Sequence, residues 1–185
     1  TVQNIYALYE TKAPIGYEAK SEPYYFVLQD SSYDLSKVSS NITVHRFTAG
    51  SSIWYDNEPA YGNLEIQKTV SGIDAAEFDA SKISFKISPK IGNKDTYKLS
   101  EFTQNANGVY ILQFTKVPVG EYTVEEIRQN FTGYSFETME YNVVYENSSP
   151  VSGVENAGTT GTQIPVLVEK EMIEKLSKTI DIIDR

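Results

Sequence analysis

Two charged residues in the middle of the chain stand among apolar neighbours on short segments that alternate like β-strands. Lys68 shares a face with Leu64 and Ile66, and Glu126 shares a face with Val124, because successive side chains of a strand point to opposite sides. Burial lowers the pKa of a lysine and raises the pKa of a glutamate, which favours a neutral, nucleophilic amine and a protonated acid. The alternative is a buried salt bridge, whose desolvation cost can match its Coulomb gain.

The first part of the chain holds a second pair of polar residues on apolar faces. Glu10 continues the face of Tyr6 and Leu8, and Asn57 continues the face of Tyr55. Polar groups are costly to bury without hydrogen-bond partners, so these positions also need a chemical or structural reason. The alternative for Glu10 is a solvated position at the end of a strand.

The composition disfavours several classes of protein. The 185 residues include 40% hydrophobic and 22% charged side chains, which is typical of a folded soluble chain, and the net charge of -9 disfavours nucleic acid as a partner. The lack of cysteine rules out disulfides and thiol chemistry, and the single histidine, His45, leaves little for a metal site. No apolar run is long enough to span a membrane. We therefore expect no cofactor, no metal and no conventional enzyme.

The elements that must position these residues are predicted to be β-strands. Tyrosine and phenylalanine are abundant, and most of them lie in short alternating runs bounded by Gly, Pro, Asn or Ser. This spacing predicts an all-β chain of immunoglobulin-like β-sandwich domains in tandem. The predicted strands are Ile5–Tyr9, Tyr24–Leu28, Ile42–Phe47, Ile53–Tyr55, Leu64–Val70, Ile83–Ile87, Val109–Phe114, Tyr122–Ile127, Tyr141–Tyr145 and Ile164–Val168.

Proline and glycine indicate a boundary between two domains. Residues 57–62 interrupt two alternating runs and form a short, stiff connector. We predict one domain over residues 1–58 and a second over residues 59–169. In residues 170–185 apolar side chains recur at spacings that predict a helical tail, with a coiled-coil contact or the first strand of a further domain as alternatives. Those side chains are Met172, Ile173, Leu176, Ile180 and Ile183.

A motif near the start of the chain recurs in a looser form in its second half. Residues 6–17 read Tyr-Ala-Leu-Tyr-Glu-Thr-Lys-Ala-Pro-Ile-Gly-Tyr, and residues 122–126 read Tyr-Thr-Val-Glu-Glu, before a Gly-Tyr pair at 133–134. The first copy resembles the E-box, Tyr-x-Leu-x-Glu-Thr-x-Ala-Pro-x-Gly-Tyr, of the Cna-B-type domains of Gram-positive adhesins and sortase-assembled pilins. Residues 64–72 resemble the lysine-bearing first strand of such a domain. The resemblance implies prealbumin-like β-sandwiches.

In that family many domains carry an isopeptide bond between a lysine of the first strand and an asparagine of the last, formed with help from the E-box glutamate. The resemblance therefore implies that Lys68 is the amine and Glu126 the promoting acid of the second domain. The amine attacks the carboxamide carbon, the acid relays protons and ammonia leaves, once per molecule. The predicted last strand, Gln163–Glu169, has no asparagine, so Asn147 is the candidate acceptor and Asn156 an alternative.

The first domain has two of the three residues that this chemistry needs. The resemblance implies that Glu10 is its promoting acid and Asn57 its acceptor, but no earlier strand supplies a lysine. We expect the chain to be an excised piece, with that lysine ahead of Thr1 or in a separate chain. Lys178 is a remote alternative.

The resemblance also implies a structural role at the cell surface. We predict a stalk module of a cell-wall-anchored adhesin or ancillary pilin, in the cell wall or pilus of a Gram-positive bacterium, stiffened by self-formed isopeptide bonds. Its expected partners are adjacent domains of the same protein or other pilin subunits, with no nucleic acid and no membrane in this fragment. The alternative is an adhesive module that contacts a host extracellular protein or glycan through Trp54, Tyr61 or the loop Ile91–Thr96.

Overall fold

The chain divides into two compact units, which comprise residues 1–59 and residues 60–185. We call them unit 1 and unit 2 and describe each by itself. The computed structural model describes residues 4–54, 56–145, 148–155 and 161–184. The division lies in the connector of Pro and Gly, where the sequence predicted a boundary between residues 58 and 59.

Unit 1 contains a small mixed sheet. Its described strands are β1 (Tyr6–Leu8), β2 (Tyr24–Leu28) and β3 (Val44–Phe47). β2 is central, antiparallel to β1 and parallel to β3. The connector is held to the segment that follows the E-box motif, because the main-chain N–H of Glu18 donates to the carbonyl of Glu58 at 3.0 Å.

Aromatic side chains cover one face of this sheet. Phe26 stacks on Tyr6 with ring centroids 5.4 Å apart, and Tyr24 stacks on His45 at 4.5 Å. These rings stay partly exposed, and Val27 is the single fully buried hydrophobic side chain among the described residues of the unit. Unit 1 therefore depends more on aromatic stacking than on an enclosed core.

Unit 2 is a sandwich of two β-sheets. Its described strands are β4 (Tyr61–Ser71), β5 (Ile83–Ile91), β6 (Lys94–Lys98), β7 (Thr103–Gln104), β8 (Tyr110–Pro118), β9 (Gly120–Arg128), β10 (Tyr134–Val144), β11 (Val151–Glu155), β12 (Gln163–Val168) and β13 (Ile173–Asp184). One sheet has the strand order β11-β10-β13-β4-β8-β7, and the other has the order β12-β9-β5-β6. Short 3-10 turns lie at Leu35–Lys37 in unit 1 and at Ala80–Lys82 and Leu99–Glu101 in unit 2.

The core of the sandwich comes from alternate residues of strands in facing sheets. Leu64 and Ile66 point inward from β4, and Ile83, Phe85 and Ile87 point inward from β5; all five are at most 1% exposed. This period of two is the pattern on which the strand predictions depended. The predicted all-β sandwich class is confirmed. None of the helical turns in the described residues is long and apolar enough to cross a membrane.

The end of the chain is a strand, so the predicted helical tail over residues 170–185 was wrong. β13 pairs antiparallel with β10 and parallel with β4, which places the last strand of unit 2 beside its first. Glu174, Leu176, Lys178 and Ile182 are buried along one face of β13. Two of these four are charged, so a pattern built from apolar residues missed their period of two and found a false helical period instead.

Several other predicted strands differ from the observed strands in pairing or in extent. The predicted last strand, Gln163–Glu169, is observed as β12, but it pairs with β9 in the four-stranded sheet and precedes β13. Residues 53 and 54 are not in a strand, and Tyr55 lies outside the described residues. β6, β7 and β11 were not predicted, because their Lys, Thr, Ser and Gly residues show little apolar alternation.

Candidate functional site

Lys68 and Glu126 meet in the core of unit 2. The Nζ atom of Lys68 lies 3.1 Å from each carboxylate oxygen of Glu126, and both side chains are fully buried. β4 and β9 belong to facing sheets, and each directs one charged side chain inward in continuation of an apolar series. The fold thus brings together the two residues that the sequence suggested as amine and acid.

A second lysine of the same site comes from the last strand. Lys178 on β13 lies directly opposite Lys68 in the parallel register with β4 and is 1% exposed. Its Nζ atom is 3.6 Å from Oε2 of Glu126 and 3.3 Å from Oε1 of Glu155, at the end of β11. Sequence reasoning offered Lys178 only as a remote lysine for the first domain and missed Glu155, which ends a short strand of Val, Ser and Gly.

Arg128 and Met139 complete the surroundings of the two lysines. Arg128 Nε lies 3.9 Å from Oε1 of Glu126, and its guanidinium lies 5.0 Å from the ring centre of Phe136. The sulfur of Met139 is 3.4 Å from Lys68 Nζ. We call the five charged residues the ionic cluster: Lys68, Glu126, Arg128, Glu155 and Lys178.

Cations outnumber carboxylates in the ionic cluster, since three basic side chains face two acids. Burial, together with the charges of Lys178 and Arg128, lowers the pKa of Lys68 to about 8, although Glu126 opposes the change. Loss of the Lys68 proton would leave two cations for two carboxylates. We therefore expect Lys68 to lose its proton more easily than an exposed lysine.

The contacts of Lys68 are those of a salt bridge. Its Nζ atom is equidistant from both oxygens of Glu126, which is a bidentate ion-pair geometry. Within the described part of the chain it hydrogen-bonds to no side-chain amide. Asn147 and Asn156, the acceptors suggested by the sequence, lie outside the described residues, so a bond from Lys68 to Asn147 stays a prediction.

Glu10 and Asn57 form a separate polar pair in unit 1. Asn57 Nδ2 donates a hydrogen bond of 2.8 Å to Oε1 of Glu10, and the main-chain N–H of Lys20 donates one of 2.8 Å to Oε2. These two bonds, that of Asn57 above all, hold the pKa of Glu10 below its ordinary value. Asn57 Oδ1 is buried and accepts no hydrogen bond from the described residues.

The pair in unit 1 joins an acid to an amide, whereas the cluster in unit 2 joins acids to amines. A buried acceptor without a donor costs roughly 1–3 kcal/mol, so Asn57 Oδ1 would gain from one more donor. The pair therefore presents a carboxamide whose oxygen can accept a hydrogen bond from a further donor.

Outside these two sites, one surface cavity stands out in unit 1. Trp54 is 84% exposed and borders a cavity of about 220 Å³ together with Lys20, Glu22, Tyr24 and Asp56. We call it the Trp54 cavity. Among the described residues, no group of three or more His, Cys, Asp or Glu side chains is placed to hold a metal ion.

The two-sheet sandwich of unit 2, with its first and last strands as parallel neighbours, defines a prealbumin-like fold. The family model of the SpaA prealbumin-like fold domain matches residues 62–157, more than half of the chain. The chain belongs to this family, and the match agrees with the resemblance to Cna-B-type domains found in the sequence. No curated protein matches the chain.

Solved structures to which the chain shows some similarity include two pilins. The major pilin of Streptococcus pyogenes is 17% identical, with 74% of this chain and 50% of that chain covered and a TM-score of 0.32. The T3.2 major pilin of the same species is 15% identical, with 72% and 50% covered and a TM-score of 0.32. The Bacillus anthracis TIE protein is 15% identical, with 98% and 42% covered and a TM-score of 0.25. The chain spans about half the length of these pilin structures.

Proposed function

We propose that the chain is a structural module from the stalk of a cell-wall-anchored adhesin or ancillary pilin of a Gram-positive bacterium. The observation that carries the proposal is the ionic cluster, which links the first strand, the last strand and the facing sheet of unit 2. Membership in the SpaA prealbumin-like family supports the same role. In this role the module lies outside the cell, in the cell wall or pilus, and turns over no substrate.

The strand order of unit 2 suits a module that carries tension. β4 and β13 are parallel and pair over nine residue pairs, so a pull on the start of β4 and the end of β13 acts along the two strands in opposite directions. Their main-chain hydrogen bonds are then loaded together rather than one after another. Any sliding would also separate Lys68 and Lys178 from Glu126, which leaves buried charges without partners.

In unit 1 we assign Glu10 and Asn57 to an isopeptide site that awaits its amine. A lysine brought beside Asn57 would donate to Oδ1 and bury Glu10, and this burial would raise the pKa of the acid. The amine then attacks the carboxamide carbon of Asn57, Glu10 relays the proton, and ammonia leaves. The lysine comes from an adjacent part of the same protein or from a separate chain.

For unit 2 the proposal requires the ionic cluster but not a covalent bond. The bidentate contact between Lys68 and Glu126 supports the ionic state. A bond from Lys68 to Asn147 is the covalent alternative. The proposed partners of the module are the neighbouring domains of its own protein or other pilin subunits.

Force spectroscopy of single molecules tests the proposed load-bearing role. With the chain placed between reference domains, we expect unit 2 to unfold at a clearly lower force after Glu126→Gln, because both lysines lose their shared carboxylate. Glu125→Gln is the matched control, since this neighbour points away from the core on the same strand. Equal unfolding forces for the wild type and Glu126→Gln would contradict the role of the cluster.

Intact mass and tryptic mass spectrometry identify the covalent state. Each isopeptide bond removes one ammonia, a loss of about 17 Da, and joins two peptides into a branched one. We expect unit 2 of the wild type to show full mass, with trypsin cleaving after Lys68. A branched peptide that contains Lys68 and Asn147 would establish the covalent alternative.

A second candidate function rests on the Trp54 cavity. An exposed indole beside Glu22, Asp56 and Lys20 offers an apolar platform with charged and hydrogen-bonding groups at its rim. This chemistry supports adhesion to a host extracellular protein or glycan. We expect Trp54→Ala to reduce binding of coated beads to immobilised extracellular matrix, whereas Tyr9→Ala, which removes an exposed aromatic side chain that does not line the cavity, leaves it unchanged. Equal binding of both variants and the wild type would remove this candidate.

A further inference from the structure

We infer that Lys178 occupies the acceptor position of an amide-forming site in unit 2, so that this one residue decides whether Lys68 and Glu126 form an ion pair or a covalent cross-link. The inference rests on the amide chemistry of the proposed function.

The strand register places position 178 within reach of the Lys68 amine. Lys68 and Lys178 are Cα partners in the parallel pair of β4 and β13, and both side chains enter the core. Neighbouring strands lie about 4.8 Å apart, so partner side chains on one face are in contact distance. Glu126 touches both amines, at 3.1 Å from Lys68 and 3.6 Å from Lys178. One acid therefore serves both positions.

Unit 1 of the same chain shows what such an acid binds when an amide is present. Glu10, the fifth residue of the motif that begins at Tyr6, accepts a hydrogen bond of 2.8 Å from the carboxamide of Asn57. Glu126 ends the corresponding Tyr-x-apolar-x-Glu motif in unit 2, but it faces two amines. In unit 1 the acid Glu10 therefore contacts a carboxamide, whereas in unit 2 the acid Glu126 contacts two lysine amines.

A lysine at position 178 stops the reaction for a simple chemical reason. Its side chain has no carbonyl carbon for Lys68 to attack, and its own ammonium forms an ion pair with Glu155. A carboxamide at this position would present such a carbon. The Lys68 nitrogen would then form the new C–N bond, the C–N bond of the carboxamide would break, and Glu126 would carry the amine proton to the nitrogen that leaves as ammonia.

A suitable test variant keeps the net charge of the ionic cluster unchanged. Lys178→Asn alone leaves Glu155 buried without Lys178, its ion-pair partner at 3.3 Å. The double variant Lys178→Asn with Glu155→Met removes one positive and one negative charge together, so the net charge of the ionic cluster is unchanged. Methionine keeps an unbranched side chain of similar length and adds no second amide.

Mass spectrometry of the full chain reads the result directly. We expect the double variant to lose about 17 Da relative to its sequence mass and to yield one branched peptide that joins positions 68 and 178, with no tryptic cleavage after Lys68. Adding Glu126→Ala should restore the full mass. In the wild type, cleavage after both Lys68 and Lys178 should be complete.

Three outcomes would overturn the inference. The first is a folded double variant of full mass with a free Lys68. The second is a wild type in which Lys68 is already cross-linked to another residue. The third is failure of both the single and the double variant to fold, because an acceptor position must accommodate a carboxamide. None of these results bears on the force measurement with Glu126→Gln, so failure of this inference and failure of the stalk role are distinguishable.

Discussion

Lys68 on the first strand of unit 2 and Lys178 on its last strand are direct partners in a parallel pair, and the carboxylate of Glu126 lies within 3.6 Å of both amines. Two like charges in a buried position repel each other and lose their hydration. The arrangement is tolerated because Glu126 and Glu155 supply opposite charge and because burial makes the Lys68 proton easy to lose. The sandwich therefore contains an electrostatic link at the place where covalent closure would join the same strands.

The first prediction concerns the contact between Lys178 and Glu155. We expect Lys178→Met and Glu155→Met each to lower the free energy of unfolding by about 3–5 kcal/mol, because each removes one side of a buried ion pair. Lys178→Met takes this partner from Glu155, and Glu155→Met leaves Lys178 with only its longer contact to Glu126. The double variant should be more stable than the sum of the single effects predicts. Urea unfolding of the four proteins gives the coupling free energy, and strictly additive effects would mean that the two residues do not interact.

The second prediction is that unit 2 becomes more stable as the pH rises from about 8 to about 10. The pKa of Lys68 is about 8 in the folded chain against an ordinary value of 10.5. Between these values the unfolded chain binds more protons than the folded chain, so the free energy of unfolding increases with pH, by about 1–3 kcal/mol in total. Below the folded pKa, Lys68 is protonated in both the folded and the unfolded chain, so the folded chain bears the full desolvation cost of the buried charge.

Urea midpoints of the wild type and Lys68→Met at three pH values in this window measure the effect. The variant lacks the titrating amine, so its midpoint should rise less than that of the wild type. The window ends near pH 10 because the raised pKa values of Tyr122 and Tyr145 make the folded state hold protons above that point, which lowers stability. A wild-type midpoint that stays flat or falls across the window would contradict the prediction.

The sequence alone was sufficient to predict those parts of the fold that depend on the alternation of apolar and polar side chains along one strand. The inward positions of Lys68 and Glu126 follow from the neighbours of each residue on its own strand. The same reasoning did not hold for Glu10, because Tyr6 and Leu8 are exposed and Glu10 lies beyond the end of β1. Partners that come from distant strands could not be found in this way. Lys178 and Glu155 reach the cluster through the pairing of β13 with β4 and with β10, which is a non-local property.

The helical interpretation of the tail shows the same limit. Glu174 and Lys178 are buried, but a hydrophobic pattern treats charged residues as exposed, so the inward face of β13 was not recognised as one. Buried charge is favourable only where the rest of the fold provides counter-charge. The information that makes residues 173–184 a strand therefore lies in the strands beside it.

The third prediction concerns the pair in unit 1. Replacement of Asn57 by alanine should raise the pKa of Glu10 towards its ordinary value, because the hydrogen bond from the Asn57 side chain is the largest cause of its lowering. NMR titration of the side-chain carboxyl carbons measures this change. Asp34 is the internal control, since its pKa is lowered by hydrogen bonds from Ser36 that the substitution does not touch. An unchanged titration of Glu10 would mean that the contact with Asn57 is not formed in solution.

The fourth prediction concerns the close approach of the first and last strands beyond the ionic cluster. Gly72, directly after β4, has a φ of +81°, and a Cβ atom there would lie 1.9 Å from the main-chain oxygen of Ile182 on β13. Gly72→Ala must therefore push the two strands apart, in addition to the roughly 1–2 kcal/mol that a left-handed backbone costs any residue with a Cβ atom.

Gly92→Ala separates the cost of the left-handed backbone from the cost of pushing the two strands apart. Gly92 has a φ of +69° but open space around its Cβ position, so alanine there bears only the backbone cost. We expect Gly72→Ala to lower the free energy of unfolding by at least about 2 kcal/mol more than Gly92→Ala, because it also disturbs the pairing that aligns Lys68 with Lys178. Urea unfolding of both variants measures the difference, and equal losses would show that β4 and β13 are not held in close contact at this end.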